Sequence, residues 1–322
     1  MLQYFLKRLL AIIPKLLIVS MLIFFGMDLL PVDPVAQAMP REAYENMSRE
    51  QLEAKREELG LNDPAIVRYF RWLGNILQGD FGYSHVSGTS VTRLVKERLP
   101  ATIELNAWAL LFSTIIGLTM GIISSKNRGK LVDYTNTAFA LLCQSIPSIF
   151  IALVMILVFS LKLKWLPGGG RTNVGVTTYW GRIPYMVMPV CVSCLGLIAN
   201  LLRITRSSML DVMGKDYIKT ARAKGATEGA IFGKHIFRNG AIPVAMLLVM
   251  RIPDLFGGSV IIENLFSYPG IGSLATEALG QNDVPVCMVT MLLSTTIFMM
   301  FTLISDLAIA ALDPRVRFGK EG

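Results

Sequence analysis

The chain has 322 residues, 53% of them hydrophobic and only 17% charged, with a mean hydropathy of +0.52. Soluble domains carry about 25% charged residues, so the composition excludes an ordinary soluble enzyme, a disordered chain and a small secreted scaffold. The formal charge of +8 would suggest nucleic acid in a soluble protein, but in an apolar chain it asks which side of a membrane holds the basic residues.

A membrane helix needs roughly 20 mostly apolar residues. In chain order the pattern predicts spans over 9–30, 105–125, 134–161, 183–202, 239–262 and 284–305. Lys15 interrupts the first and Arg251 with Asp254 the fifth; the other four are uncharged. Lys7 and Arg8 precede the first span, whose apolar run is too long for a removed signal, so it reads as an uncleaved helix with a cytoplasmic start. With six spans both termini then lie inside. The inner segments 1–15, 126–133, 203–238 and 313–322 hold a large excess of Lys and Arg, while the outer segments are nearly balanced, as the positive-inside rule requires. The short loop with Lys126, Arg128 and Lys130 is the clearest case.

The first outer segment, 31–98, is long enough to fold on the membrane surface. Ser48 with Gln51 forms a capping box, and Gly60 is a helix stop. Asp63 before Pro64 reads as a cap followed by proline at the first helical position. A helix from Pro64 to about Gln78 would place Ile66, Phe70, Leu73 and Leu77 on one face. The second outer loop carries Trp165-Leu-Pro-Gly-Gly-Gly170 beside an interfacial aromatic. The third contains Phe266-Ser-Tyr-Pro-Gly-Ile-Gly272, a rigid bend followed by permissive positions.

The inner segment 203–238 is basic yet patterned as helix. Asp216 is a candidate cap, Ile218, Ala221 and Arg222 fall at helical spacing, Gly225 breaks the run, and Thr227 opens a second short helix. A basic loop attracted to anionic lipid needs no such order, so the segment is expected to dock a cytoplasmic partner. Arg251 and Asp254 are three apart and could pair on one helical face. They either lock helices together or face a pathway for a zwitterionic substrate. Pro253 and Gly257-Gly258 would weaken helical hydrogen bonding there. Cys191-Val-Ser-Cys194 lies inside an apolar span with no His nearby and reads as small packing residues. Four Cys are too few for a disulfide framework. Gly117-x-x-x-Gly121 permits close helix approach. There is no phosphate-binding G-x-x-x-x-G-K-[ST] loop, no G-x-S-x-G elbow and no H-E-x-x-H helix.

Taken together, Leu30-Pro-Val-Asp-Pro34, Glu58-Leu-Gly-Leu-Asn-Asp-Pro64, Gln78-Gly-Asp-Phe-Gly82, Arg98-Leu-Pro-Ala-Thr-Ile-Glu104, Ser145-Ile-Pro-Ser148, Asp216-Tyr-Ile-Lys-Thr-Ala-Arg-Ala-Lys-Gly225, Pro269-Gly-Ile-Gly272 and Leu312-Asp-Pro-Arg315 resemble, in order and spacing, the B-type permeases of the dipeptide, oligopeptide and nickel branch of bacterial ATP-binding-cassette importers. The general importer motif begins Glu-Ala-Ala; Lys219-Thr-Ala221 stands there, and His235-Ile-Phe-Arg238 replaces the later Ile-x-Leu-Pro. The resemblance implies an all-α inner-membrane protein of six transmembrane helices with the type I importer permease fold and a small helical extracytoplasmic insertion. Its parts would be a first helix in 1–30, the insertion 31–98, the transporter core 99–312 with coupling loop 203–238, and a tail 313–322.

It further implies half of a pathway for oligopeptides or dipeptides, or alternatively a nickel chelate. The partners would be a second homologous permease, two cytoplasmic ATPases that hold ATP and Mg, an extracytoplasmic binding protein and membrane lipid, with no nucleic acid and no cofactor on this chain. ATPase coupling would fall to Asp216, Tyr217, Lys219, Thr220, Ala221, Arg222, Gly225 and Ala226. Arg251, Asp254, Gly257 and Gly258 are candidate pathway residues. Tyr268, Pro269, Gly270 and Gly272 are candidates for an outer gate or binding-protein contact. A stand-alone ion-driven carrier or channel is the reading from another class; it predicts transport without ATPases.

Overall fold

The computed structural model describes residues 2–29, 33, 35, 41–58, 60–172 and 178–312. Most of the motif at 30–34, and the Asp313-Pro-Arg315 motif with the tail, lie outside the described residues. The described elements are helical, with one isolated bridge between Tyr83 and Ser90. Helices long and apolar enough to cross a membrane run over Arg8–Asp28, Val91–Lys126, Trp180–Met213, Glu228–Gly257 and Val284–Ile309. A sixth span is broken: α6 (Leu131–Ser145) and the helix from Ser148 to Lys162 meet at 96°. The uncharged stretch 134–161, expected as one span, therefore bends. Pro147 pushes the preceding residue out of the α region, and Ile146 sits at φ −88°, ψ 124°.

By internal contacts the chain divides into two units. The first comprises Met1–Thr102, Phe256–Asn264 and Pro269–Met300. Within it, α1 (Leu2–Asp28) is followed by α2 (Arg41–Glu45), α3 (Arg49–Glu58) and α4 (Ala65–Leu77). The capping box forms: Gln51 Oε1 accepts from Ser48 N at 2.9 Å, and Ser48 Oγ from Gln51 N at 3.3 Å. Gly60 ends the turn at φ 63°. Asp63 does not cap α4. Pro64 occupies the cap position, and Asp63 instead pairs with Arg71 at 2.6 Å, an interaction that a carboxylate can make when no helix N–H is aimed at it.

The buried side of α4 is also not the one bearing Ile66, Phe70 and Leu77, which are exposed. Tyr69 is the buried residue, packed with Phe24 and Met288 and flanked by Trp72 and Leu73. Its hydroxyl shares a 2.8 Å hydrogen bond with Ser20 Oγ, and Arg68 grips Asp28 through two bonds of 2.7 and 2.9 Å. An aromatic with one polar end is selected here because its ring fills the cluster while its hydroxyl finds a partner.

Three further helices contribute to the unit's core. Val91 and Val95 of α5 (Val91–Lys126) pack against Ile271, Leu274 and Ala278, and against Val286 and Val289 of the last helix, which runs Val284–Leu312. The second span thus starts well before residue 105, and α5 runs unbroken across 98. Pro100 interrupts nothing but one hydrogen bond, and the charged residues Arg93, Lys96 and Glu97 occupy its first turns. Buried Asp283 accepts from Ser84 Oγ at 2.5 Å and from the amides of His85 and Val86 at 3.2 and 3.4 Å, tying down the turn before α5.

The second unit comprises Ile103–Leu255, Leu265–Tyr268 and Phe301–Gly322. Its centre is α8 (Ile183–Met213), whose buried side carries Met188, Val192, Ile198, Leu201, Leu202 and Met209 among others. Gly117 and Gly121 let α5 lie against it: a Cβ at either would come within 2.7 Å of Leu201 or 2.5 Å of Thr205. Small residues at this spacing allow close backbone approach.

Candidate functional site

The inner segment begins where α8 ends. Gly214 and Lys215 turn the chain into α9 (Asp216–Ala223). Asp216 is the first helical residue, not the cap; Lys215 holds that place with no side-chain bond, and Asp216 pairs with Lys219 at 2.9 Å. A carboxylate in the first turn still favours the helix through its dipole. Ile218 is fully buried with Met209, Ile231 and Ile236. The other sides, with Tyr217, Lys219 and Thr220, are exposed, as is Arg222, one turn after Ile218. One apolar residue therefore pins the helix to two neighbours while its polar face stays open.

The glycine break has a defined geometry. Gly225 N donates to Arg222 O at 2.9 Å and Ala226 N to Ala221 O at 3.2 Å, with Gly225 at φ 80°. This is the paired bonding of a Schellman cap, which needs the left-handed region and hence glycine. Arg222 pairs with Glu228 across the turn at 2.7 Å, and this bond raises the already high pKa of the guanidinium. Thr227 Oγ1 accepts from Ala230 N at 3.3 Å and starts the next helix. That helix is not short. It continues through wide π-type turns over Ile231–Phe237 into Arg238–Met250, so it is the first part of the fifth span. Lys126 lies 4.0 Å above the Phe232 ring. The structure brings all eight candidate coupling residues together on one helix and its turn.

Arg251 and Asp254 also meet, at 3.0 Å, but not on a helical face. Residues 251–253 form a turn, and Asp254–Gly257 is a separate four-residue helix. Pro253 lacks the N–H that would continue the helix. Asn106 Nδ2 donates to the freed carbonyls of Asp254 and Leu255 at 3.2 and 3.4 Å. Both charged side chains remain partly exposed, at 36% and 49%. Gly257 ends the short helix, and Gly258 follows at φ 74°.

The Phe266–Gly272 segment is buried more deeply than a contact surface would be. Tyr268, Gly270 and Gly272 are buried, leaving Ser267 exposed and Pro269 half-buried. Tyr268 and the two glycines are thus shielded from the surface in this conformation. The Tyr268 hydroxyl lies 3.5 Å from Glu104 Oε2, which Arg171 holds at 2.6 Å. Burial and the neighbouring carboxylate raise the pKa of this phenol well above its ordinary value. Gly170 N donates to Phe266 O at 2.8 Å.

Sequence reading missed Glu263. Its carboxylate is fully buried and accepts from Thr102 Oγ1 at 2.8 Å and Ser273 N at 3.0 Å, while Ile271 N donates to Thr102 Oγ1 at 2.8 Å. A Cβ at Gly270 would stand within 2.2–2.4 Å of this carboxylate, and one at Gly272 within 2.9 Å. The glycines of Pro269-Gly-Ile-Gly272 are therefore clearance for a buried charge capping Ile271–Gly280. The available signal was the lone acid in the apolar stretch ahead of that motif.

The family described as binding-protein-dependent transport system inner membrane component matches residues 113–318, and its N-terminal membrane component matches residues 1–106. The chain belongs to this family. The permease is 37% identical over 320 residues to the oligopeptide transport system permease protein AppB of Bacillus subtilis (strain 168), covering 99% of this chain and 100% of that one. It is 35% identical over 318 residues to the glutathione transport system permease protein GsiC of Pectobacterium atrosepticum, covering 99% and 100%. Among solved structures it is similar to the inward-facing MetNI methionine ABC transporter, with a TM-score of 0.54 and 17% identity over 69% of this chain and 97% of that chain. The permease is a multi-pass inner-membrane protein with the type I importer permease fold, and its family works with ATPases and binding proteins.

Proposed function

We propose that this permease forms half of the translocation pathway of an ATP-driven importer of oligopeptides or dipeptides. The observation that carries the coupling role is α9, with Ile218 buried under it and its polar face open. A helix of eight residues is marginal alone. Seated by Ile218 on Met209, Ile231 and Ile236, it moves as one body with the end of α8 and the start of the fifth span. An ATPase that grips the polar face on closing would tilt both spans and alternate access to the pathway. The names of full-length relatives, which concern oligopeptides and glutathione, support a peptide substrate.

The loop with Lys126, Arg128 and Lys130 supports cytoplasmic placement of both termini and of α9. A second permease of the same family completes the pathway as a heterodimer. Two ATPase subunits at α9 hold ATP and Mg, so hydrolysis falls to them and this chain carries no cofactor. A binding protein delivers substrate over 31–98 and 263–283, and the segment of Tyr268, Pro269, Gly270 and Gly272 serves as an outer gate. Arg251, Asp254, Gly257 and Gly258 border the pathway. The test is reconstitution of the complete transporter in proteoliposomes with its binding protein. Peptide uptake that needs ATP and all partners is the expected result; uptake driven by an ion gradient without ATPases would overturn it.

A further inference from the structure

The most buried of the long helices among the described residues has an exposed side of the wrong polarity for lipid. On α8 the residues Gly196, Asn200, Arg203 and Ser207 recur at helical spacing and form its open side; Gly196, Arg203 and Ser207 are exposed and Asn200 half-exposed. The remaining faces bury Val192, Ile198, Ala199, Leu201, Leu202 and Thr205. A helix turned to lipid shows the reverse pattern, because hydrocarbon rewards apolar side chains and leaves polar ones unsatisfied. Polar groups within a spanning helix such as Trp180–Met213 face protein, a water-filled cavity or the membrane boundary.

The stripe faces a break in the neighbouring helix. Gln144, at the end of α6 just before the Ile146-Pro147 bend, donates from Nε2 to Asn200 Oδ1 at 3.3 Å and accepts on Oε1 from Arg203 Nη1 at 2.8 Å. Residues 144–150 are all exposed, although this stretch is uncharged and apolar on both sides. The bend also removes a donor at Pro147, which leaves carbonyls of α6 without helical partners.

The hydrogen-bond balance of the cluster identifies what it would bind. Gln144 is used on both its amide atoms. Among the described residues Arg203 makes one bond and has no carboxylate within ion-pair distance, and the Asn200 Nδ2 group makes none. The unused capacity is mainly donor, with one full positive charge: guanidinium N–H groups and an amide NH₂, while the Gln144 and Asn200 oxygens each keep one lone pair. Such a set is complementary to a carboxylate flanked by a carbonyl. Resting on the peptide-importer reading, we infer that Gln144, Asn200 and Arg203 form a contact site at the inner end of the translocation pathway, which takes the C-terminal carboxylate and adjacent carbonyl of the passing peptide. Gln144 acts by holding the other two in place.

Two measurements on the complete transporter in proteoliposomes test this. In the first, Cys143 and Cys191, the two cysteines that are not buried, are replaced by serine, and single cysteines are placed at Asn200, Arg203 and the exposed apolar residue Leu153. A charged, water-soluble methanethiosulfonate should modify the first two at least ten-fold faster than Leu153→Cys. Equal rates would place the stripe against lipid or the second permease and overturn the pathway assignment.

In the second, uptake of trialanine is compared with that of its C-terminal amide, which carries no charge at that end. Arg203→Gln should lower trialanine uptake at least ten-fold more than it lowers uptake of the amide. Arg203→Lys should restore part of it. An unchanged ratio of the two peptides in Arg203→Gln overturns the carboxylate assignment. Uptake of neither peptide by the wild-type transporter overturns the peptide reading and the ligand class together, and leaves the labelling result to judge the pathway on its own.

Discussion

Asp133 and Arg206 meet through two parallel hydrogen bonds, Nε to Oδ1 at 2.6 Å and Nη2 to Oδ2 at 2.7 Å. Asp133 is 3% exposed and also accepts from Gly129 N at 3.0 Å. The pair fixes the short basic loop after α5 to α8. Removing one partner of a fully buried pair costs about 3–5 kcal/mol; Arg206 is 31% exposed, so the loss here is smaller. Asp133→Ala is expected to lower the amount of folded permease in the membrane and its lifetime in detergent. Arg206→Lys keeps the charge but loses the fork and should fall between. The exchanged pair Asp133→Arg with Arg206→Asp should recover part of the loss, measured as half-life by size-exclusion chromatography.

Gly225 gives a different signature. No atom lies within 4 Å of the place a Cβ would occupy, yet φ is 80°. Space is available and conformation is not. A non-glycine residue pays roughly 1–2 kcal/mol there, least for Asn. Gly225→Asn should retain most ATP-coupled uptake, and Gly225→Val should lose it while still inserting in the membrane. Uptake and ATP hydrolysis measured side by side would show the split; normal coupling in Gly225→Val would count against a docking role for the turn.

The Arg251–Asp254 bridge is partly exposed, and such pairs contribute roughly 0–1 kcal/mol to stability. Asp254→Asn should therefore reduce uptake more than assembly. Co-purification of the complex together with uptake distinguishes the cases, since parallel losses would mark the pair as a structural clasp.

At the Pro269-Gly-Ile-Gly272 turn the obstacle is steric. A methyl at Gly270 cannot coexist with the Glu263 carboxylate, itself held by Thr102 and Ser273. Gly270→Ala should destabilise the permease strongly. Glu263→Ala should also destabilise it, because the Ser273 amide and Thr102 hydroxyl lose a partner. The double variant should be no worse than Glu263→Ala alone, since the clash has gone. Thermal unfolding midpoints of the three purified variants check this non-additivity.

Residues that act locally were legible in the chain. The spans, the capping box at Ser48 and Gln51, the stop at Gly60 and the break at Gly225 follow from length, charge and backbone freedom, which need no knowledge of neighbours. The α9 helix was readable for the same reason, although its cap was misplaced by one residue. Asp63 went wrong because two partners competed for it, and the Arg71 guanidinium, nearly two turns inside α4, prevailed over the helix amides. The apolar face of α4 misled because it has apolar residues on more than one side, and only packing against Phe24 and Met288 selected Tyr69.

Composition and charge order by themselves determined that this is a membrane protein with a basic, helically patterned inner segment, because hydrocarbon thickness and charge asymmetry act on the linear chain. The 96° bend follows locally from Pro147, whereas tertiary structure alone decided the buried Glu263 among the glycines and the polar exposed side of α8. Each depends on residues distant in sequence, and a buried charge or an open polar stripe is defined only by what surrounds it.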